Sequence, residues 1–224
     1  TYDIFGLIVV SPLSGGDRTL TLGPGWNMVS LPYYVLDNQK TTLYPNAISS
    51  AFSYDGAYQT ATNILNGTGY WLKSASSDVT NIWGADISDL TISVISGWNM
   101  IGSIGTPVLV SSITSDPPGM ITSQAFGFEG TYTIVDTLKP TKGYWLKTAS
   151  SGTLHLMPPA LAKANKNAAI RIVPTSELPP SAPSDPTIEN ATAPSIYALK
   201  AAYPNPFNPT TRFTVDVPRS AQVD

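Results

Sequence analysis

The chain repeats itself, and that repeat constrains its fold more than any other feature. Residues 51–73, AFSYDGAYQTATNILNGTGYWLK, match residues 125–147, AFGFEGTYTIVDTLKPTKGYWLK, without a gap. Gly25-Trp26-Asn27-Met28 likewise returns as Gly97-Trp98-Asn99-Met100 in a chain with only 5 tryptophans. The spacing is 74 residues from Ala51 to Ala125 and 72 from Gly25 to Gly97, so the length difference falls in the stretch after GWNM. Length changes belong in loops, and a chain that writes one unit twice is read first as two copies of one small fold.

Within a copy the pattern is that of short strands. RTLTL alternates polar and apolar residues into Gly23-Pro24-Gly25 before WNMVSLP resumes, and LTISVI runs into WNMIGSI; both predict a β-hairpin. Asp55-Gly56 and Glu129-Gly130 sit between aromatic strand pieces, the acid-glycine signal of a second hairpin. Turns at residues 66–69 and 139–143 lead into YWLK, and residues 76–78 and 150–152 turn the chain back, giving about six strands per copy. The stretch after GWNM, with Tyr44-Pro45-Asn46 or Asp116-Pro117-Pro118-Gly119, breaks the strand pattern and is expected to carry a short helical turn. Alternation puts Trp26 and Met28 on a face with Ser30, and Trp98 and Met100 on one with Gly102, a core-like pairing of large and small residues. In YWLK it separates Tyr70 and Leu72 from Trp71 and Lys73, and Tyr144 and Leu146 from Trp145 and Lys147. Trp71 and Trp145 are therefore the tryptophans expected to reach the surface.

The chain's 224 residues suffice for one large or two small domains. Charged residues are only 12 %, about half the usual share, with Thr, Ser, Gly, Asn and Pro in their place, as in secreted β proteins. The net charge of −3 and the lack of a Lys/Arg cluster exclude a field that gathers phosphate backbones, so nucleic acid is not expected as a partner. There is no cysteine, which removes disulfides, thiolate metal sites and cysteine nucleophiles. The opening TYDIFGLIVV has no starting Met or basic leader, and Ile4 to Val10 is far too short to span a bilayer. The sequence therefore reads as a piece of a longer protein, with that apolar run as a strand completing a sheet, either of the first copy or of a neighbouring chain.

Beyond Pro158 the repeat stops. Residues 169–173 could add a strand, and residues 174–196 are Pro/Ser/Thr-rich with few large apolar side chains, an extended linker on composition. Phe213, Val215 and Val217 then alternate with Thr214 and Asp216, so a strand is expected there. Just before it stands Tyr203-Pro204-Asn205-Pro206-Phe207-Asn208-Pro209-Thr210-Thr211. This motif resembles the opening of the C-terminal sorting domains carried by proteins exported through the type IX secretion system of Bacteroidetes and related phyla. The resemblance covers about the last 25 residues. It implies an immunoglobulin-like domain of which this chain holds the first strand, with the secretion machinery as partner of the C-terminus. The GWNM…GYWLK copies resemble small repeats found just before such domains in large secreted proteins.

Candidates for chemistry are few. His155 is the only histidine, so a His-rich zinc site is impossible; it aligns with Asn81, which reads as a solvent-facing strand position rather than a triad base. Of the three glutamates, Glu129 is a turn residue matched by Asp55, and Glu177 and Glu189 lie in the linker, so no paired carboxylates for glycoside hydrolysis are expected. Asp86 and Asp89 are too sparse for calcium, and Gly15-Gly16 and Gly23-Pro24-Gly25 lack the lysine and helix of a phosphate loop. No metal and no cofactor are expected. Only the aromatics recur in a way that could bind: Trp71, Tyr58, Trp145 and Tyr132 hold equal places in the two copies, where sugar rings could stack on two similar sites. Such rings are equally the main core filler of a small β module.

The expectation is an all-β protein. Residues 1–16 would be a strand or the end of an upstream domain, 17–84 and 85–173 two tandem small antiparallel modules, barrel or sandwich-like. Residues 174–196 would be the Pro-rich linker and 197–224 the start of an incomplete Ig-like sorting domain. The expected role is non-catalytic: a structural, assembly or stalk module of a secreted, surface-associated bacterial protein. Its partners would be an upstream domain or neighbouring copies in a surface assembly. The alternative is a carbohydrate-binding module with glycans as partners.

Overall fold

The computed structural model describes residues 15–158 and 177–183, and the backbone of 198–199 and 215–216. Two similar all-β modules fill the first stretch, with almost no helix. The first holds β1 (Gly16–Leu22), β2 (Gly25–Val29), β3 (Tyr33–Tyr34), a single helical turn α1 (Lys40–Leu43), β4 (Ala51–Tyr54), β5 (Tyr58–Ala61), β6 (Tyr70–Ser74) and β7 (Asp78–Asp86). The second holds β8 (Leu90–Val94), β9 (Gly97–Ile101), β10 (Val108–Leu109), a 3-10 turn (Val110–Ser112), β11 (Thr114–Asp116), β12 (Ala125–Phe128), β13 (Tyr132–Val135), β14 (Thr137–Leu138), β15 (Tyr144–Thr148) and β16 (Gly152–Leu156). The helical turns fall in the stretch after GWNM, where the strand pattern broke.

Each module pairs a three-stranded with a four-stranded antiparallel sheet: β1-β7-β3 with β2-β6-β4-β5, and β11-β16-β8 with β13-β12-β15-β9. Apolar side chains from the facing sheets form each core, with Leu20, Val29, Tyr33, Ala51, Tyr70 and Leu72 in the first. Ile92, Ile101, Ala125, Tyr144, Leu146 and Leu154 do the same in the second. This is the sandwich form of the expected architecture.

The Asp55-Gly56 and Glu129-Gly130 hairpins form as read: Tyr54 faces Tyr58 and Phe128 faces Tyr132, with Gly56 and Gly130 at φ +73° and +82°. The hairpin expected at GWNM does not. β1 pairs with β7 while β2 pairs with β6, so the chain crosses from one sheet to the other between Leu22 and Gly25. β8 and β9 repeat the crossing, pairing with β16 and β15. An arch of this kind takes backbone groups out of any ladder, and they need other partners. The Asn27 carboxamide provides them, accepting from the Gly23 N–H at 2.8 Å and donating to the carbonyls of Gly23 and Gly25. Asn99 does the same for Ile95 and Gly97. Gly25 and Gly97, at φ +82° and +100°, make the left-handed step that only glycine adopts without strain.

Farther along, β17 (Ala198–Leu199) pairs antiparallel with β18 (Val215–Asp216), inside the strand read at 213–217. The N-terminal strand, the strand at 169–173 and the motif Tyr203, Pro204, Asn205, Pro206, Phe207, Asn208 and Pro209 lie outside the described residues.

Candidate functional site

In each four-stranded sheet one face looks into its own module. The other carries Trp26, Met28 and Trp71, or Trp98, Met100 and Trp145, and these second faces meet. Met28, Trp71, Met100, Phe126 and Trp145 form one buried cluster, flanked by partly buried aromatics from both modules. The rings cross edge to face in matched pairs: Tyr54 meets Trp145 with centroids 4.9 Å apart, and its counterpart Phe128 meets Trp71 at 4.8 Å. That is the geometry aromatic quadrupoles favour.

Backbone contacts repeat the same reciprocity. Gly69 N–H donates to the Met100 carbonyl and Gly143 N–H to the Met28 carbonyl, both at 3.1 Å. Ser30 N–H donates to Thr141, and Gly102 N–H to Gly67. Residue i touching j while j's counterpart touches i's is the signature of a two-fold interface, here within one chain. It explains three glycines. A Cβ at Gly69 would lie 2.8 Å from the Ile101 carbonyl oxygen, and one at Gly143 2.8 Å from that of Val29. Gly102 is the counterpart of Ser30, and a Cβ there would stand 3.1 Å from the Ser30 Cβ. At the axis a residue meets its own equivalent, so WNMVS becomes WNMIG. The Ser30 hydroxyl fills the space: it donates to the Lys142 carbonyl (2.8 Å), and its oxygen takes the N–H of Ser103 (3.1 Å) and lies 2.9 Å from the Ser103 hydroxyl.

This seam corrects the expectation for the aromatic platform. Trp71 and Trp145 do not reach the surface; each is 0 % exposed. Alternation along YWLK did assign them to the face opposite Tyr70 and Leu72, but the other module covers that face. The four residues Trp71, Tyr58, Trp145 and Tyr132 come together in one composite seam rather than two separate sites. The indole N–H groups of Trp71 and Trp145 are buried and complete no hydrogen bond among the described residues. They lie near the phenols of Tyr58 and Tyr132, whose proton affinity they hold down. Burial acts more strongly in the other direction, pushing Tyr58 up to about 12 and Tyr132 up as well.

Across the seam runs part of the stretch that composition marks as an extended linker, residues 177–183, ELPPSAP. Tyr58 donates its hydroxyl to the Ser181 carbonyl and Tyr132 to that of Pro180. Trp98 Nε1 donates to Glu177 Oε1 at 3.1 Å and Lys147 Nζ to Oε2 at 2.5 Å. These two bonds hold the Glu177 carboxyl below its usual range, the lysine contributing more. Lys147 also stands 5.8 Å over the Trp98 ring, as Lys73 stands over Trp26. Pro179 and Pro183 are buried, and Ala182 packs on the aromatic cluster. Sequence reasoning missed Trp98, Lys147 and Glu177 as partners. The usable signal was the tyrosine two residues past each hairpin glycine, opposite a segment with Pro180 and Pro183 three apart.

The remaining candidates take structural places. His155 Nδ1 lies 3.0 Å from the Thr91 hydroxyl, and the matched Asn81 accepts from Thr19 at 3.3 Å, so His and Asn fill one cross-strand polar position. Asp86 takes a two-pronged pair from Arg18 at 2.9 and 3.0 Å. Among the described residues no three His, Asp or Glu side chains converge as metal ligands. Comparison with protein-family models, with curated proteins and with solved structures finds no match to this chain.

Proposed function

We propose that residues 1–173 are a non-catalytic structural or stalk module of a secreted, cell-surface-associated bacterial protein, and that the C-terminal motif Tyr203–Pro209 is its secretion and anchoring signal. The observation that carries the first half is the seam: burying the second face of each sandwich against the other turns two repeats into one body. Repeats that share a core keep a fixed spacing, as a stalk or an assembly unit requires. The second half rests on the motif's resemblance alone. The alternative, stacking of glycans on Trp71, Tyr58, Trp145 and Tyr132, requires open ring faces, and the two indoles have none.

The chain has no cysteine, so spin labels can be placed at will on Val79→Cys and Ile134→Cys, exposed positions in the two modules. A single narrow distance distribution between them is expected. A broad one, as from beads on a flexible string, would refute the stalk reading. For the signal, the chain, extended by the rest of its sorting domain and fused behind a leader and an enzyme reporter, should reach the surface of a type IX-secreting bacterium. Replacing residues 203–209 by Gly and Ser should keep the reporter inside; surface display unaffected by that change would refute the assignment.

A further inference from the structure

We propose that the aromatic seam is a recognition groove for proline-rich extended peptides bearing an acidic residue, and that the chain's own Glu177–Pro183 segment occupies it in cis. The segment's burial follows the period of a polyproline II helix. Pro179 and Ala182 are three apart, as are Pro180 and Pro183, and these four are buried or half-buried while Ser181 between them is exposed. Such a helix has no internal hydrogen bonds, so its carbonyls are open to outside donors. Tyr58 and Tyr132, counterparts in the two modules, supply two donors to two consecutive carbonyls, those of Ser181 and Pro180. Aromatic-lined grooves that use a preformed, low-entropy proline helix are a general mode of peptide recognition.

The site is complete only when both repeats contribute. Its near-symmetry gives it two similar ends, each with a lysine over a tryptophan, and Glu177 selects the Trp98–Lys147 end. Charge therefore sets the direction in which the peptide lies, and prolines set its register. The proposal stands apart from the stalk reading, since a peptide that fails to bind leaves the seam and its rigidity untouched.

The test uses the full chain with Glu177→Gln, Pro179→Ser and Pro183→Ser, which vacates the groove, and a fluorescein-labelled peptide of residues 175–185, TSELPPSAPSD. Fluorescence polarisation should show saturable binding to this variant and at least roughly tenfold weaker binding to the unmodified chain. There the tethered segment competes at an effective concentration on the order of millimolar. Adding Tyr58→Phe and Tyr132→Phe to the vacated chain should weaken the peptide roughly tenfold, and a peptide with the same three substitutions should not bind. Equal binding to vacated and unmodified chains, equal binding of the substituted peptide, or no binding to a vacated chain with native near-ultraviolet circular dichroism would each overturn the proposal. If the triple variant loses that signal, Glu177→Gln alone decides: the peptide should bind it several-fold more tightly than the unmodified chain, and equal affinity overturns the proposal.

Discussion

Gly69→Ala tests whether the modules meet as described, because the sign of its effect depends on the neighbouring module alone. Gly69 has no left-handed backbone to defend, so an alanine there would ordinarily stabilise by about 0.4–1 kcal/mol through a less mobile unfolded chain. Across the seam, however, the new Cβ would lie 2.8 Å from the Ile101 oxygen and 3.3 Å from two carbonyl carbons of β9. These are backbone atoms held in register by β15, with Tyr144 opposite Ile101 and Trp145 opposite Met100, so no side chain can swing aside. Restoring ordinary contact requires the sheets to part by about half an ångström, a gap that forfeits a quarter or more of the dispersion energy along it. Overpacking of this kind costs about 1–3 kcal/mol. The net expectation is a loss of about 1–2 kcal/mol, a fall in melting temperature of roughly 3–8 °C for a body of this size. Gly23→Ala is the control: its Cβ would meet nothing nearer than 3.6 Å, so it should be neutral or slightly stabilising. Scanning calorimetry or thermal circular dichroism reads both. A Gly69→Ala chain that melts with or above the Gly23→Ala chain would refute the close approach.

Ser30→Ala should cost about 1–3 kcal/mol, because it strands the Ser103 N–H and the Lys142 carbonyl in a buried place; a change in melting temperature within error would contradict that network. The Glu177 carboxyl is held below its ordinary value of 4.5, so its contribution to docking is full above that pH and is lost as pH falls through the lowered value. The Trp98 indole N–H resonance should report this with a midpoint below 4.5 and become flat in Glu177→Gln; a midpoint at or above 4.5 would contradict the pairing. At the alkaline end Tyr58 keeps its proton up to about 12 against 10.0 when free, so its contribution is present below pH 10 and lost as pH climbs toward 12. Tyr58→Phe should lessen that alkaline loss, followed by thermal melting across the range.

Much of the fold was legible because it is local. GWNM, YWLK and the acid-glycine pairs carry their strand alternation and turn chemistry with them, and the gapless match between copies made two modules the natural reading. Two things were not legible, for different reasons. The arch between β1 and β2 looks like a hairpin to any local rule; the cue was Asn27, placed to satisfy backbone groups that a ladder would have paired. The burial of Trp71 and Trp145 depends on what covers the second face of each sheet, and alternation names a face without naming its neighbour. Even so, a trace of the seam stood in the sequence: Ser30 in one copy against Gly102 in the other, where near-identical strands differ because they touch at an axis. The docked segment was hidden by composition, since a few prolines and one alanine carry too little apolar area to suggest burial, and the groove supplies hydrogen bonds and charge instead.

The central claim is that the two repeats are one cooperative body, and differential scanning calorimetry of the full chain tests it most directly. Residues 15–158 should melt in a single transition with an enthalpy of roughly 100 kcal/mol near 60 °C, at about 0.7 kcal/mol per residue, and with van't Hoff and calorimetric enthalpies equal. Two transitions, or a van't Hoff enthalpy about half the calorimetric one, would mean that each module melts alone and that the shared aromatic core does not join them.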